Sequence, residues 1–397
     1  MKKNILIVAN TLDIGGIERS LISLLQSIDF NKYNVDLLIK SGGIFQKYIP
    51  SEVNIIESPE FYKWIFLPKK NIINAFIGSI GLNLNFMRFI FYISKGLIIK
   101  NMGKARQQLM ESCIHALPSI DSNYDVAIDY TGGLKSLVIN KIKASKKITW
   151  VHSDYRVYKR DKNIDMIDYS KVDAIISVSK TCNDIFVSEF PQYKDKCYIM
   201  PNITNKEQIL KMSNEEVDFD NNYTGLKILD ITRLDPNKGL DIAVKACEAL
   251  INEGYDIKWY VLGEGPERLK LEELIRSHNL EEKFNLLGVK TNPYPFIKNT
   301  DIVVHCSLFE GRSVAIDEAM LLAKPIILTD YPTAKDQINN QITGLICKTS
   351  VNGVYNAVKL LIEEIELRNK LIENLLQYEI SINYSLNILE GIINGED

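Results

Sequence analysis

Along this chain, short β-branched hydrophobic runs alternate with segments of helical period. In the first forty residues Asn4 to Ala9 reads as a buried strand and Gly15-Gly16 as a flexible turn. Ile17 to Ile28 follows as a helix with Leu21, Leu24, Leu25 and Ile28 on one face, and Val35 to Ile39 as the next strand. Further strands are expected at Val126 to Asp129, Ile148 to Val151 and Ala174 to Val178, with helices at 133–142 and 180–189. After residue 225 the alternation resumes. Lys227 to Ile231, Ile257 to Leu262 and Phe284 to Leu287 read as strands, separated by an amphipathic helix ending near Asn252 and a helix from Glu267 to Ser277. Such alternation predicts an α/β chain built on parallel sheets.

One stretch, Asp301 to Asp330, organises the second half. Ile302 to Val304 forms a strand, Gly311 and Ser313 interrupt it, Val314 to Leu322 has helical spacing, and Pro325 precedes strand Ile326 to Leu328. Two carboxylates, Glu310 and Glu318, lie at the loop and in the second turn of the helix. The amides of Gly311, Arg312, Ser313 and Val314 are expected to be free and to face the carboxyl end of the strand, where helix N–H groups attract an anion. Glu318 is placed to accept from a ribose diol, against the plainer alternative of a solvated helix residue. Two cations, Arg233 and Lys238, bracket the turn after Lys227 to Ile231, a strand expected beside the Glu310 unit. With the amides at 311–314 they could neutralise a diphosphate. His152 directly follows a strand, where open α/β sheets bind ligands, although local hydrogen bonds would equally account for it.

At 397 residues the chain is long enough for two domains. A formal charge of −3 makes no case for nucleic acid, and six scattered Cys and four dispersed His suggest reduced thiols and no metal site. The apolar run Ile5 to Ala9 is too short for a signal-peptide core, which points to the cytoplasm. Residues 61–110 break the pattern. They hold eight Lys or Arg and no Asp or Glu, interleaved with Trp64, Phe66, Phe89 and other aromatics. The charge-free run Asn71 to Met87 spans about 25 Å as a helix, short of a bilayer core of about 30 Å. Basic residues among aromatics suit helices lying on an anionic membrane surface; the alternative is an internal helical pair. Residues 206–224 are polar, acidic and aperiodic, and read as a linker whose Asp218-Phe219-Asp220 is solvated.

Several ordered segments together resemble the family 4 retaining glycosyltransferases. They are ILIVANTLDIGGIERSL, ITRLDPNKGLDIAVKA, VLGEGPERLKLEELI, the run from NLLGVK through FEGRSVAIDEAMLLAKPII, and TGLIC. The resemblance covers both halves and fails at 61–110. It implies a GT-B fold, two Rossmann-like domains facing each other across a cleft. Its acceptor domain would be 1–205, its nucleotide-sugar domain 225–375, and 376–397 a helix crossing back to the first domain.

Carried over, the resemblance puts the donor on the second domain. Glu318 would hold the ribose, and Arg233 and Lys238 the diphosphate as it leaves, without metal or other cofactor. Glu310 and the backbone of Gly311, Arg312, Ser313 and Val314 would contact sugar and phosphate, and Gly288-Val289 the base. Gly15 and Gly16 would close on the diphosphate, and His152 would sit near the transferred sugar. Arg312 stands where a small or aromatic residue is more usual. The expected activity is transfer from a nucleotide-sugar, a UDP-sugar, to a lipid-linked glycan of capsule, exopolysaccharide or O-antigen type at the inner face of the cell membrane. A GT-B epimerase and a catalytically silent module that binds a partner transferase are the alternatives.

Overall fold

The computed structural model describes residues 2–13, 15–57, 104, 107–108, 111, 114, 119–378 and 382–396. The membrane-facing reading of 61–110 therefore falls almost entirely outside the described residues. The chain divides into two compact units, Met1–Pro201 with Ser385–Asp397, and Asn202–Tyr384.

The first unit holds a seven-stranded parallel sheet of β1 (Lys3–Thr11), β2 (Tyr33–Ser41), β3 (Val53–Glu57), β4 (Ile120–Asp129), β5 (Ile142–Val151), β6 (Ala174–Ser177) and β7 (Cys197–Ile199). Their order is β3-β2-β1-β4-β5-β6-β7. Ile5 to Ala9 are all buried, as a strand covered on both faces requires. Helix Gly16–Ser27 lays Leu21, Ile22, Leu24 and Leu25 into the core. At the end of β4, buried Asp129 accepts from the Leu134 N–H at 3.1 Å and from the Thr149 hydroxyl at 3.0 Å. Nearby Lys135, also buried, pairs with Asp165 at 2.6 Å. The C-terminal helix Ile382–Asn394 belongs largely to this unit, where Leu389, Ile392 and Ile393 are buried and Ser385 bonds the Pro201 carbonyl at 3.0 Å.

The second unit holds a six-stranded parallel sheet of β8 (Leu226–Ile231), β9 (Ile257–Leu262), β10 (Phe284–Leu286), β11 (Ile302–His305), β12 (Ile326–Thr329) and β13 (Leu345–Cys347). The order is β10-β9-β8-β11-β12-β13. Both sheets thus run outward in two directions from their first strand, the Rossmann-like arrangement, and ligands bind such sheets beyond the carboxyl ends where the order reverses. In this unit that point lies between β8 and β11, which pair with Ile302 opposite Ile228.

The stretch 206–224 is not a solvated connector. Lys206–Met212 is helical with Ile209 buried, and Phe219 is buried in the second unit's core against Tyr260 and Phe296. Asp220 accepts from Lys258 at 2.6 Å and Tyr260 at 2.7 Å. One aromatic in a polar run supplied the anchor, and periodicity cannot register a single residue.

Candidate functional site

Two loops build the site at the β8–β11 switch point. The first leaves β8 through Thr232 and Arg233 and makes a short turn, Pro236–Lys238, before helix Leu240–Asn252. Gly239 ends that turn in the left-handed region at φ 61°, and a Cβ there would lie 2.1 Å from the Cys306 carbonyl oxygen. Glycine is what allows this loop to press against the end of β11. The Leu308 N–H then donates to the Asn237 carbonyl at 2.9 Å, joining the two loops.

That junction brings Lys238 onto Glu310, the two side chains 15% and 16% exposed. Both residues are expected from the sequence, whereas what stands behind them is not. His305, the last residue of β11, lies 2.8 Å from Glu310 Oε1 through Nε2 and 3.3 Å from Asp230 Oδ1 through Nδ1. Asp230 and His305 are both buried. Burial opposes a charged His305, but its hydrogen bonds with Asp230 and Glu310 outweigh it and raise the pKa to about 9. Burial likewise opposes an ionised Glu310, and His305 and Lys238 overcome it, holding the pKa at about 2. A histidine closing a strand beside a strand bearing Asp230 was the available signal, but it needed the β8–β11 pairing to be read.

Arg233 stands on the same loop, 68% exposed and 2.8 Å from Asp235. Thr333 bonds the Glu310 carbonyl at 2.9 Å and so ties the Glu310 loop to the segment after β12.

The four free amides expected at 311–314 need correction. The Ser313 N–H donates to Gln337 Oε1 at 3.1 Å, and the Gln337 amide returns to the Ser313 carbonyl at 2.5 Å. The Arg312 side chain turns into the protein, its Nε and Nη2 reaching Asp317 at 2.9 and 2.7 Å and its Nη1 the Asp336 carbonyl at 3.3 Å. Gln337 also donates to Asp317 at 3.0 Å. Helix Val314–Leu321 is buried on nearly every side, and it carries two carboxylates, Asp317 and Glu318. Buried carboxylates demand partners. Arg312 and Gln337 serve Asp317, and the Tyr294 hydroxyl donates to Glu318 at 3.0 Å. Glu318 is thus 2% exposed and no solvated helix residue.

Gly288, at φ 70°, and Val289 follow β10, and the Gly288 carbonyl accepts from the Gly263 N–H at 2.9 Å. In the first unit, Gly15 and Gly16 open helix Gly16–Ser27. His152 Nε2 donates to the Tyr130 carbonyl at 2.5 Å. Burial lowers the His152 pKa to about 4, so this ring is neutral. The described cysteines, Cys182, Cys197, Cys247, Cys306 and Cys347, are free thiols. Among the described residues no helix is long and apolar enough to cross a membrane.

Residues 213–377 match the family described as Glycosyl transferases group 1. An uncharacterized glycosyltransferase of Methanocaldococcus jannaschii is 31% identical over 173 residues, 43% of this chain and 43% of its own. The match to that relative spans less than half of either protein. The Campylobacter jejuni N-acetylgalactosamine-N,N'-diacetylbacillosaminyl-diphospho-undecaprenol 4-alpha-N-acetylgalactosaminyltransferase is 24% identical over 361 residues, 90% of each chain. The crystal structure of Anabaena Alr3699/HepE in complex with UDP and glucose has a TM-score of 0.69 at 15% identity, covering 98% of this chain and 99% of its own. Two Rossmann-like units in this order are the GT-B fold, and within the second of them residues 213–377 match the group 1 glycosyl transferase family.

Proposed function

We propose that this chain transfers a sugar, with retention of anomeric configuration, from a UDP-sugar to a glycan acceptor carried on a lipid. One observation carries the reading: Lys238 and Glu310 meet at the β8–β11 switch point, inside the stretch that matches the family. Lys238 and Arg233 hold the diphosphate and stabilise its charge as it leaves, so that positioning and electrostatics supply most of the rate. Glu310 receives the sugar. Glu318, aligned by Tyr294, accepts from the ribose hydroxyls. Gly288 and Val289 border the base. No metal is called for, since two cations answer the diphosphate. The roles of Gly15, Gly16 and His152 rest on the family resemblance.

Support for the donor comes from the UDP complex of the Anabaena protein, and for the acceptor from the diphospho-undecaprenol in the Campylobacter enzyme's name. The basic and aromatic residues of 61–110 favour a surface of anionic lipid, at the cytoplasmic face of the membrane. Changing Lys95, Lys100, Lys104 and Arg106 to Glu should then release the protein from anionic vesicles, each lost cation being worth roughly 1 kcal/mol. A wild-type protein that does not float with such vesicles removes this support for a lipid acceptor.

Isothermal titration with UDP separates the two glutamates. Glu318→Gln should weaken UDP binding about tenfold, because a neutral amide is a poorer acceptor for two hydroxyls. Glu310→Gln should leave UDP binding at least as tight while turnover falls, since its contact is with the sugar. Equal losses of UDP affinity in both variants contradict this division.

A further inference from the structure

His305 sits between two carboxylates, with Nδ1 on Asp230 and Nε2 on Glu310, and is itself only 3% exposed. A neutral imidazole carries one N–H and one lone pair, whereas ionised carboxylates only accept. Satisfying both partners requires a proton on each ring nitrogen, so His305 is an imidazolium. Lys238 Nζ meets the same oxygen of Glu310, Oε1, that His305 does. Asp230 and Glu310 together balance His305 and Lys238. Tyr331, whose ring stands edge-on to His305 at 6.2 Å, is held neutral because burial drives its pKa well up. Asp230 from β8, Glu310 and Lys238 from the two loops and Tyr331 from beyond β12 are titratable groups that the described residues place around this ring, with the buried thiol of Cys306 next to it in the chain.

Two cations on one carboxylate oxygen is more than an ion pair needs. We propose that His305 is a positioning residue that permits Lys238 to change partners, holding Glu310 ionised and in place while Lys238 moves to the donor diphosphate. Without His305, withdrawing Lys238 leaves a part-buried carboxylate uncompensated, and the exchange becomes unfavourable. No proton moves in the exchange, and the imidazolium charge is present throughout. The inference rests on the reading of Lys238 as a diphosphate ligand.

The test is isothermal titration of wild type, His305→Gln, Glu310→Gln and the double variant with UDP, and separately with inorganic pyrophosphate. His305→Gln should bind UDP about tenfold more weakly or worse. Glu310→Gln, which frees Lys238, should bind at least as tightly as wild type, and the double variant should recover that affinity. Unchanged binding in His305→Gln overturns the exchange, and so does a loss that persists in the double variant. Should wild type bind pyrophosphate but not UDP, the uridine donor is wrong and the pyrophosphate series decides the exchange alone. If wild type binds neither, both readings fall. Where His305→Gln does not fold, Asp230→Asn provides the second route. Wild-type UDP affinity should weaken as pH rises through about 9, where His305 loses its proton. Removing Asp230 takes away one stabiliser of the imidazolium, so this midpoint should move to lower pH. A folded Asp230→Asn protein with an unmoved midpoint overturns the proposal.

Discussion

Lys238→Ala should lower the rate of sugar transfer by on the order of 10²-fold or more, the scale on which removing one preorganised electrostatic contact acts. The side chain is 15% exposed and already aimed at Glu310, so it is largely shielded from water where the charge develops. Arg233→Ala should also reduce the rate, but less. Arg233 is 68% exposed and tied to Asp235, and it must reorganise to reach a diphosphate. Both variants should keep the wild-type melting temperature within a few degrees, because neither side chain is core. Steady-state rates on the same donor give the comparison. A loss below about tenfold in both variants removes the two cations from the chemistry.

Arg312→Ala should act on the fold instead. Its guanidinium makes a two-pronged contact with Asp317 inside the protein, the side chains 7% and 1% exposed. Truncation leaves Asp317 buried with Gln337 as its remaining side-chain partner among the described residues, and breaking one half of a buried pair costs about 3–5 kcal/mol. Arg312→Lys should recover little, since an ammonium cannot reproduce the planar fork. Replacing Arg312 and Asp317 together by leucine should restore much of the loss, because no buried charge then remains. Urea unfolding of the set measures this. If Arg312→Ala is as stable as wild type and only its KM for donor has changed, the side chain contacts the donor after all.

Arg312 and Ser313 show where sequence stopped being informative. The strands at Ile302 and Ile326, the intervening helix and the breaks at Gly311 and Pro325 all announced themselves by local pattern. The placement of Lys238 beside the Glu310 unit followed as well, since the doubly wound order sets the first strand of a unit beside its fourth. What the loop amides do was not local. The Ser313 N–H is taken by Gln337, twenty-four residues away beyond β12, and nothing around Ser313 signals that partner. Glu318 likewise looks amphipathic in sequence, yet Tyr294 from the preceding helix covers it. Asp230 and His305 lie inside hydrophobic strands, where a polar residue is easily read as an edge position. Only the register of β8 on β11 makes them neighbours. The run 206–224 failed for the opposite reason: its composition is that of a connector, while Phe219 and Asp220 anchor it to the core.

Release of UDP from UDP-sugars in the presence of EDTA, with Lys238→Ala alongside, most directly tests a metal-independent UDP-sugar transferase built on the β8–β11 switch point. A panel of UDP-sugars, with and without a lipid-linked glycan, should include at least one from which the wild-type protein releases UDP at a rate EDTA does not alter. The variant should be slower by about 10²-fold or more on that same donor. No release from any UDP-sugar, or release that EDTA abolishes and manganese restores, contradicts it.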